Sequence, residues 1–132
     1  MSDYKIAVVA IIEYNGQVLV GKETNSNHFL SGAWHIPGGK LELNETEEQA
    51  LVREMREEAG IEIKVGEFLE ERVVPDANVK TRWYLCSPLT HDLSPGDDLS
   101  EVKYVPKSDV ISICDPKAIS FCPPRVIEYL SQ

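Results

Sequence analysis

Three cysteines in 132 residues, an odd number with none paired as CxxC, are too few for a disulfide framework or a structural zinc site. A reducing cytoplasm is the simplest compartment they imply. Apolar runs are also short. None reaches the ~18–20 residues of a membrane-spanning helix, so no membrane partner is expected. The opening MSDYKIAVVAII has no basic segment before its apolar stretch and no small-residue cleavage site. It reads as a strand and not as a secretory signal. Positive charge is scarce: 13 Lys and Arg face 22 Asp and Glu, a formal net charge of −9. Nucleic-acid binding by backbone neutralisation needs clustered cations, so that function class is excluded. Repeats, low-complexity tracts and linkers are missing too. Residues 1–132 are expected to form one domain around a single core.

What the chain does contain is strand patterning interleaved with helix patterning. Lys5–Ile12 is β-branched and apolar, and Asn15-Gly16 marks a tight hairpin turn into a second strand, Gln17–Gly21. A polar loop over 23–32 leads to a short strand, Ala33–Ile36, closed by Pro37-Gly38-Gly39. Thr46 and Gln49 have the spacing of a capping box that starts a helix, and Gly60 ends it. Leu51, Met55 and Ala59, four apart, give that helix its core face, with Ala50 and Val52 beside them. Glu62–Val74 and Lys80–Cys86 read as strands around a turn at Pro75-Asp76-Ala77-Asn78. After a loop at 91–98 come a short strand, Val102–Val105, and a final helix opened by Pro123-Pro124 and running through Tyr129 and Leu130. Strands with two helices predict an α+β chain whose sheet packs between helices.

The first helix carries a conflict. Glu54, Glu57 and Glu58 sit at i, i+3 and i+4 and converge on one face. Gly60 follows almost at once, so these acids crowd the helix's last turn and a half, where the dipole is already negative. Each costs roughly 0.3–1 kcal/mol there, with mutual repulsion added. A divalent cation resolves the conflict, and Mg²⁺ or Mn²⁺ takes oxygen ligands of this kind. Acidic residues at the other end, Glu45, Glu47 and Glu48, favour a helix N-terminus without any ion.

The stretch from Gly39 to Ile61, GKLELNETEEQALVREMREEAGI, resembles the Nudix box, G-x5-E-x7-R-E-U-x-E-E-x-G-U with U apolar. Gly39, Glu45, Arg53, Glu54, Met55, Glu57, Glu58, Gly60 and Ile61 occupy its positions without a departure. Seven fixed letters match by chance at a given start roughly once in a billion. The approach WHIPGGK, Trp34 to Lys40, is similar to that of small MutT-type members. The resemblance implies an α/β/α sandwich with a mixed sheet and a pyrophosphohydrolase cleaving the diphosphate linkage of a nucleotide, with Mg²⁺, or Mn²⁺ in its place, as cofactor. It implies metal ligation by Glu54, Glu57, Glu58 and a carbonyl at Gly38, with Arg53 pinning Glu54 and Glu54 as candidate base. Glu45 is assigned either a supporting role near the metals or simple end-charge stabilisation. The family also supplies one more acidic ligand ahead of a late strand; Glu101 is the best match, with Asp97 and Asp98 as rivals.

Substrate contacts are expected from Gly39, whose lack of a side chain permits close backbone approach, and from Lys40. The base is expected near His28, Phe29, Trp34 and Arg125. His28 and His35 lack a third partner spaced for zinc. MutT-type enzymes selecting oxidised guanine use an Asn after the paired prolines, where this chain has Arg125. Pro75 lies near where ADP-ribose-cleaving members carry a proline, and a hairpin turn explains it equally well. A nucleoside triphosphate, giving monophosphate and pyrophosphate, is therefore expected first, and ADP-ribose or a nucleotide sugar second. A nucleotide-sensing module without catalysis is a third reading, disfavoured because no box carboxylate is lost. A monomer or homodimer fits the family.

Overall fold

The computed structural model describes residues 4–74 and 77–132. The predicted turn residues Pro75 and Asp76 lie outside this range. Among the described residues seven strands and four α-helices follow in the order β1 (Lys5–Tyr14), β2 (Gln17–Glu23), β3 (Trp34–His35), β4 (Gly38–Lys40), α1 (Glu47–Ala59), β5 (Ile63–Val74), β6 (Val79–Pro88), β7 (Leu99–Pro106), α2 (Val110–Ile113), α3 (Pro116–Ser120) and α4 (Pro124–Leu130).

The continuous apolar run of β1 has a simple cause: the strand is covered on both faces. Val8, Ala10 and Ile12 face one core with Leu51, Met55 and Ala59 of α1. Val9 and Ile11 face the other, with Val110, Cys114, Val126 and Leu130 from the later helices. This period-2 division makes the α/β/α sandwich. Along one edge β1 runs parallel to β6; its other edge is shared antiparallel by β4 at Ala7–Val9 and by β2 at Glu13 and Tyr14. The sheet is thus mixed. The predicted hairpin at Asn15-Gly16 is present, both residues with positive φ (53° and 77°).

Helix α1 begins and ends as its sequence dictates. Thr46 and Gln49 complete a capping box, and Gly60 closes the helix in the left-handed conformation at φ 69°. Two departures bear on the site. Gly38-Gly39 form no simple turn; they are strand β4, laid against β1 in register Val8–Gly39 and Val9–Gly38. A Cβ at Gly38 would collide with the backbone of Val8, which explains the glycine. Between β7 and the final helix the chain adds a 3-10 turn at Lys107–Asp109 and the short helices α2 and α3. Segments of three to five residues carry too few turns to print a helical period.

Candidate active site

The last turns of α1 pack against β4, and the conflict read from sequence becomes physical there. Glu54 and Glu58 are buried, 7% and 4% exposed, while Glu57 stays at the surface. Glu54 fits because Gly39 has no side chain: a Cβ at Gly39 would fall on its carboxylate.

Arg53 binds the acids together. Its Nε and Nη2 donate to the two oxygens of Glu45 at 2.7 and 3.0 Å, a bidentate fork. Nη1 donates to Glu54 at 2.9 Å and to Glu57 at 3.3 Å, and Nη2 to the Lys40 carbonyl at 3.1 Å. One guanidinium thus ties three box carboxylates to β4. Its hydrogen bonds hold the Glu45 carboxyl below the usual carboxylate range. The Glu58 carboxyl moves the other way. Burial pushes it well up, with a hydrogen bond to Glu54 and the charges of Glu54, Glu23 and Asp97 adding to the rise.

A loop completes the cluster. The N–H groups of Ser94 and Gly96 donate to the carbonyls of Ala59 (2.9 Å) and Glu58 (3.1 Å), satisfying acceptors that a helix end leaves unpaired. That docking brings Asp97, at φ 51°, to the acids of α1. One carboxylate oxygen each from Glu54, Glu57 and Asp97 lie within 4.8 Å of one another. The donor set is all oxygen and anionic, without nitrogen or sulfur, and this chemistry fits a hard divalent ion such as Mg²⁺ or Mn²⁺.

Glu101, preferred from sequence, is not in this group. It sits on β7 opposite Lys22, 3.8 Å from its Nζ. Strand pairing fixes it there, whereas its rival Asp97 is carried by the loop that caps α1. Asp98, the other rival, takes the Thr24 N–H and hydroxyl on its carbonyl at 2.7 and 2.9 Å. Glu47 pairs with Arg82 at 2.6 Å and accepts from Tyr84, and Glu48 is exposed.

On the side of β4 toward the later helices lies a cavity of about 500 Å³. Gly38, Gly39 and Lys40 line it, so β4 is a wall shared with the acidic cluster. His28 and Phe29 line it as expected. Phe29 is 57% exposed, stacks on His28 at 4.9 Å and meets Phe121 edge-on at 5.5 Å. Trp34 and Arg125 do not line it. Trp34 packs into the helical core beneath the Lys103 ammonium, 4.5 Å away. Arg125 clamps α4 to β5, its Nη1 donating to the Leu69 carbonyl at 3.0 Å and its backbone N–H to Glu70 at 2.9 Å. Sequence reasoning missed Thr81, Trp83, Cys114, Phe121 and Cys122 as lining residues. Alternation along β6 pairs Thr81 and Trp83 on one face, the one signal that could have placed two of them. His35 is buried, with Nε2 2.9 Å from a buried Glu23 oxygen.

Residues 3–128 match the family model described as NUDIX domain. The chain is 47% identical over 62 residues to a CTP pyrophosphohydrolase of Escherichia coli, covering 47% of this chain and 45% of that protein. It is 34% identical over 91 residues to an 8-oxo-dGTP diphosphatase of Proteus vulgaris, covering 67% and 80%. A NUDIX hydrolase from Nitrosomonas europaea superposes with a TM-score of 0.73 at 27% identity, covering 83% of this chain and 64% of that one. The match thus spans less than half of the Escherichia coli relative.

Proposed function

This chain belongs to the Nudix family, and from that premise we propose that it is a divalent-metal-dependent hydrolase of nucleotides, acting on a nucleoside triphosphate to give the monophosphate and pyrophosphate. The observation that carries this reading is the convergence of Glu54, Glu57 and Asp97 on the far side of β4 from a cavity of about 500 Å³. A nucleotide offers a diphosphate to the first and a base to the second.

The residues take the following roles. Glu54, Glu57 and Asp97 would hold Mg²⁺ or Mn²⁺, and Glu58 would support them from its buried position. A bound divalent ion supplies positive charge against the diphosphate and makes a water easier to deprotonate. Arg53 fixes the Glu54 carboxylate, which is placed to take the proton of the attacking water. That water forms a bond to one phosphorus as the bridging P–O bond breaks, and pyrophosphate leaves. Gly39 lets the diphosphate approach the backbone, and Lys40 adds a positive charge beside it. His28, Phe29, Trp83 and Phe121 enclose the base. Positioning and fixed charge do most of the work.

The net charge also supports the reading. The −9 net charge would repel an anionic nucleotide unless a cation accompanied it. No helix among the described residues is long and apolar enough to cross a membrane, and Cys86, Cys114 and Cys122 are free and buried, which suits a reducing cytoplasm.

The test is product identification. Nucleoside triphosphates and ADP-ribose are incubated with the protein and Mg²⁺, and the products are separated by anion exchange. The account expects monophosphate and pyrophosphate in equal amounts. Release of inorganic phosphate with a diphosphate would refute the assigned cleavage, and ADP-ribose as the best substrate by a wide margin would refute the triphosphate.

A further inference from the structure

We infer that the base in the cavity beside β4 is read through a side-chain donor, the Nε2–H of His28, and that the cavity selects nucleotides whose base carries a carbonyl in place of an exocyclic amine. This rests on the nucleotide reading above and adds the chemistry of the base.

The Nδ1 atom of His28 accepts the backbone N–H of Leu30 at 3.0 Å. A backbone N–H only donates, so the neutral ring carries its own proton on Nε2. Among the described residues nothing accepts that proton. The other polar side chains on the wall are already engaged. His35 has Nδ1 3.0 Å from the Ile36 carbonyl and Nε2 2.9 Å from Glu23. Thr81 donates to the Arg72 carbonyl at 3.1 Å and accepts the Trp83 indole N–H at 3.0 Å. The Cys122 thiol is turned to the Ala118 carbonyl at 3.8 Å. Lys40 offers only a donor. Among the described lining residues there is no Asp, Glu, Asn, Gln or Ser, the side chains that would accept from an amine.

The consequence is a difference between bases of equal shape. Adenine and cytosine present an amine with two hydrogens, and the described lining side chains offer them no free carboxylate or amide. Hypoxanthine and uracil replace it with a carbonyl that accepts from His28, and they carry a single ring N–H instead. Burying a donor without a partner is unfavourable on the scale of a lost hydrogen bond. The ring faces are served alike by Phe29, Trp83 and Phe121, so stacking does not discriminate within either pair.

The experiment measures kcat/KM with Mg²⁺ for ITP against ATP and for UTP against CTP. Alongside it, the Kd of IMP against AMP is measured by calorimetry in EDTA, where neither metal nor turnover enters. The keto member of each pair is expected to be favoured about 10-fold, equivalent to ~1.4 kcal/mol. His28→Phe keeps a ring and removes the donor, and should bring each ratio within about twofold. His28→Gln, which supplies an amide able to donate or accept, should improve the amino members. Equal or better use of ATP and CTP by the wild type would overturn the inference, as would ratios that ignore His28→Phe. If no triphosphate is cleaved while IMP still binds more tightly than AMP, the hydrolase reading falls and this one stands.

Discussion

The α-carbon of Gly39 and the carboxylate of Glu54 occupy adjoining space, with no room between them for a methyl group. Gly39→Ala should therefore push the Glu54 carboxylate off β4 and away from Glu57 and Asp97, while the φ of Gly39 is not in the left-handed range and imposes no strain of its own. Turnover should drop about 10-fold or more, and the Mg²⁺ concentration for half-maximal rate should rise. Far-UV circular dichroism unchanged beside this loss is the expected pattern; unchanged kinetics would show that the contact does not position Glu54.

Removing Arg53 leaves three carboxylates without their shared cation. Because the guanidinium is largely enclosed by Glu45, Glu54 and the Lys40 carbonyl, Arg53→Met should lower stability by about 1–3 kcal/mol. Arg53→Lys should recover only part of this, since an ammonium cannot form the fork with Glu45. Urea denaturation of the metal-free protein measures both. A Lys variant as stable as the wild type would count against the fork.

The buried Glu58 gives the metal-free protein a definite pH dependence. Its carboxyl is raised by burial and by the Glu54, Glu23 and Asp97 carboxylates around it. An acid with a raised folded pKa binds its proton more tightly when folded. The resulting stabilisation is complete below the ordinary glutamate value of about 4.3, and it is lost as pH rises toward the folded value. In EDTA the melting temperature should accordingly fall between pH 6 and pH 8.5. Glu58→Gln should flatten that slope. A melting temperature that rises over this interval in both proteins would contradict the assignment.

Most of the fold was legible because its local rules agree. The capping box at Thr46, the left-handed Gly60 and the Asn15-Gly16 hairpin are short-range chemistry, and β1 declared itself by apolar residues on both faces. The box spacing likewise placed Glu54, Glu57 and Arg53 together, since a helix fixes what lies three and four residues apart. Asp97 was harder. It reaches the cluster only because Ser94 and Gly96 cap the end of α1, a tertiary event with no sequence period, and strand residue Glu101 looked the better candidate. The setting of Arg125 was hidden for a related reason: its neighbour prolines predict the start of α4, but not that α4 leans on β5 at Leu69 and Glu70.

Asp97 and Glu101 therefore make a decisive pair. Asp97→Asn should reduce turnover about 10²-fold by removing charge from the cluster. Glu101→Gln, which loses only an exposed pair with Lys22, should stay within about twofold of wild type. Steady-state kinetics on the best triphosphate separates them, and the opposite ranking would return the ligand to β7.

The proposed hydrolysis depends on a divalent ion held by the carboxylates gathered at the end of α1. Pyrophosphate release as a function of Mg²⁺ concentration, for wild type and Glu57→Gln, is the measurement that decides this. Glu57 is exposed and packs in neither core, so its substitution removes a ligand charge and weakens the 3.3 Å contact with Arg53 without disturbing core packing. The wild-type rate should saturate with Mg²⁺ and disappear in EDTA, and the Glu57→Gln rate should be lower by about 10²-fold or more. Undiminished release in EDTA, or from Glu57→Gln, would contradict it.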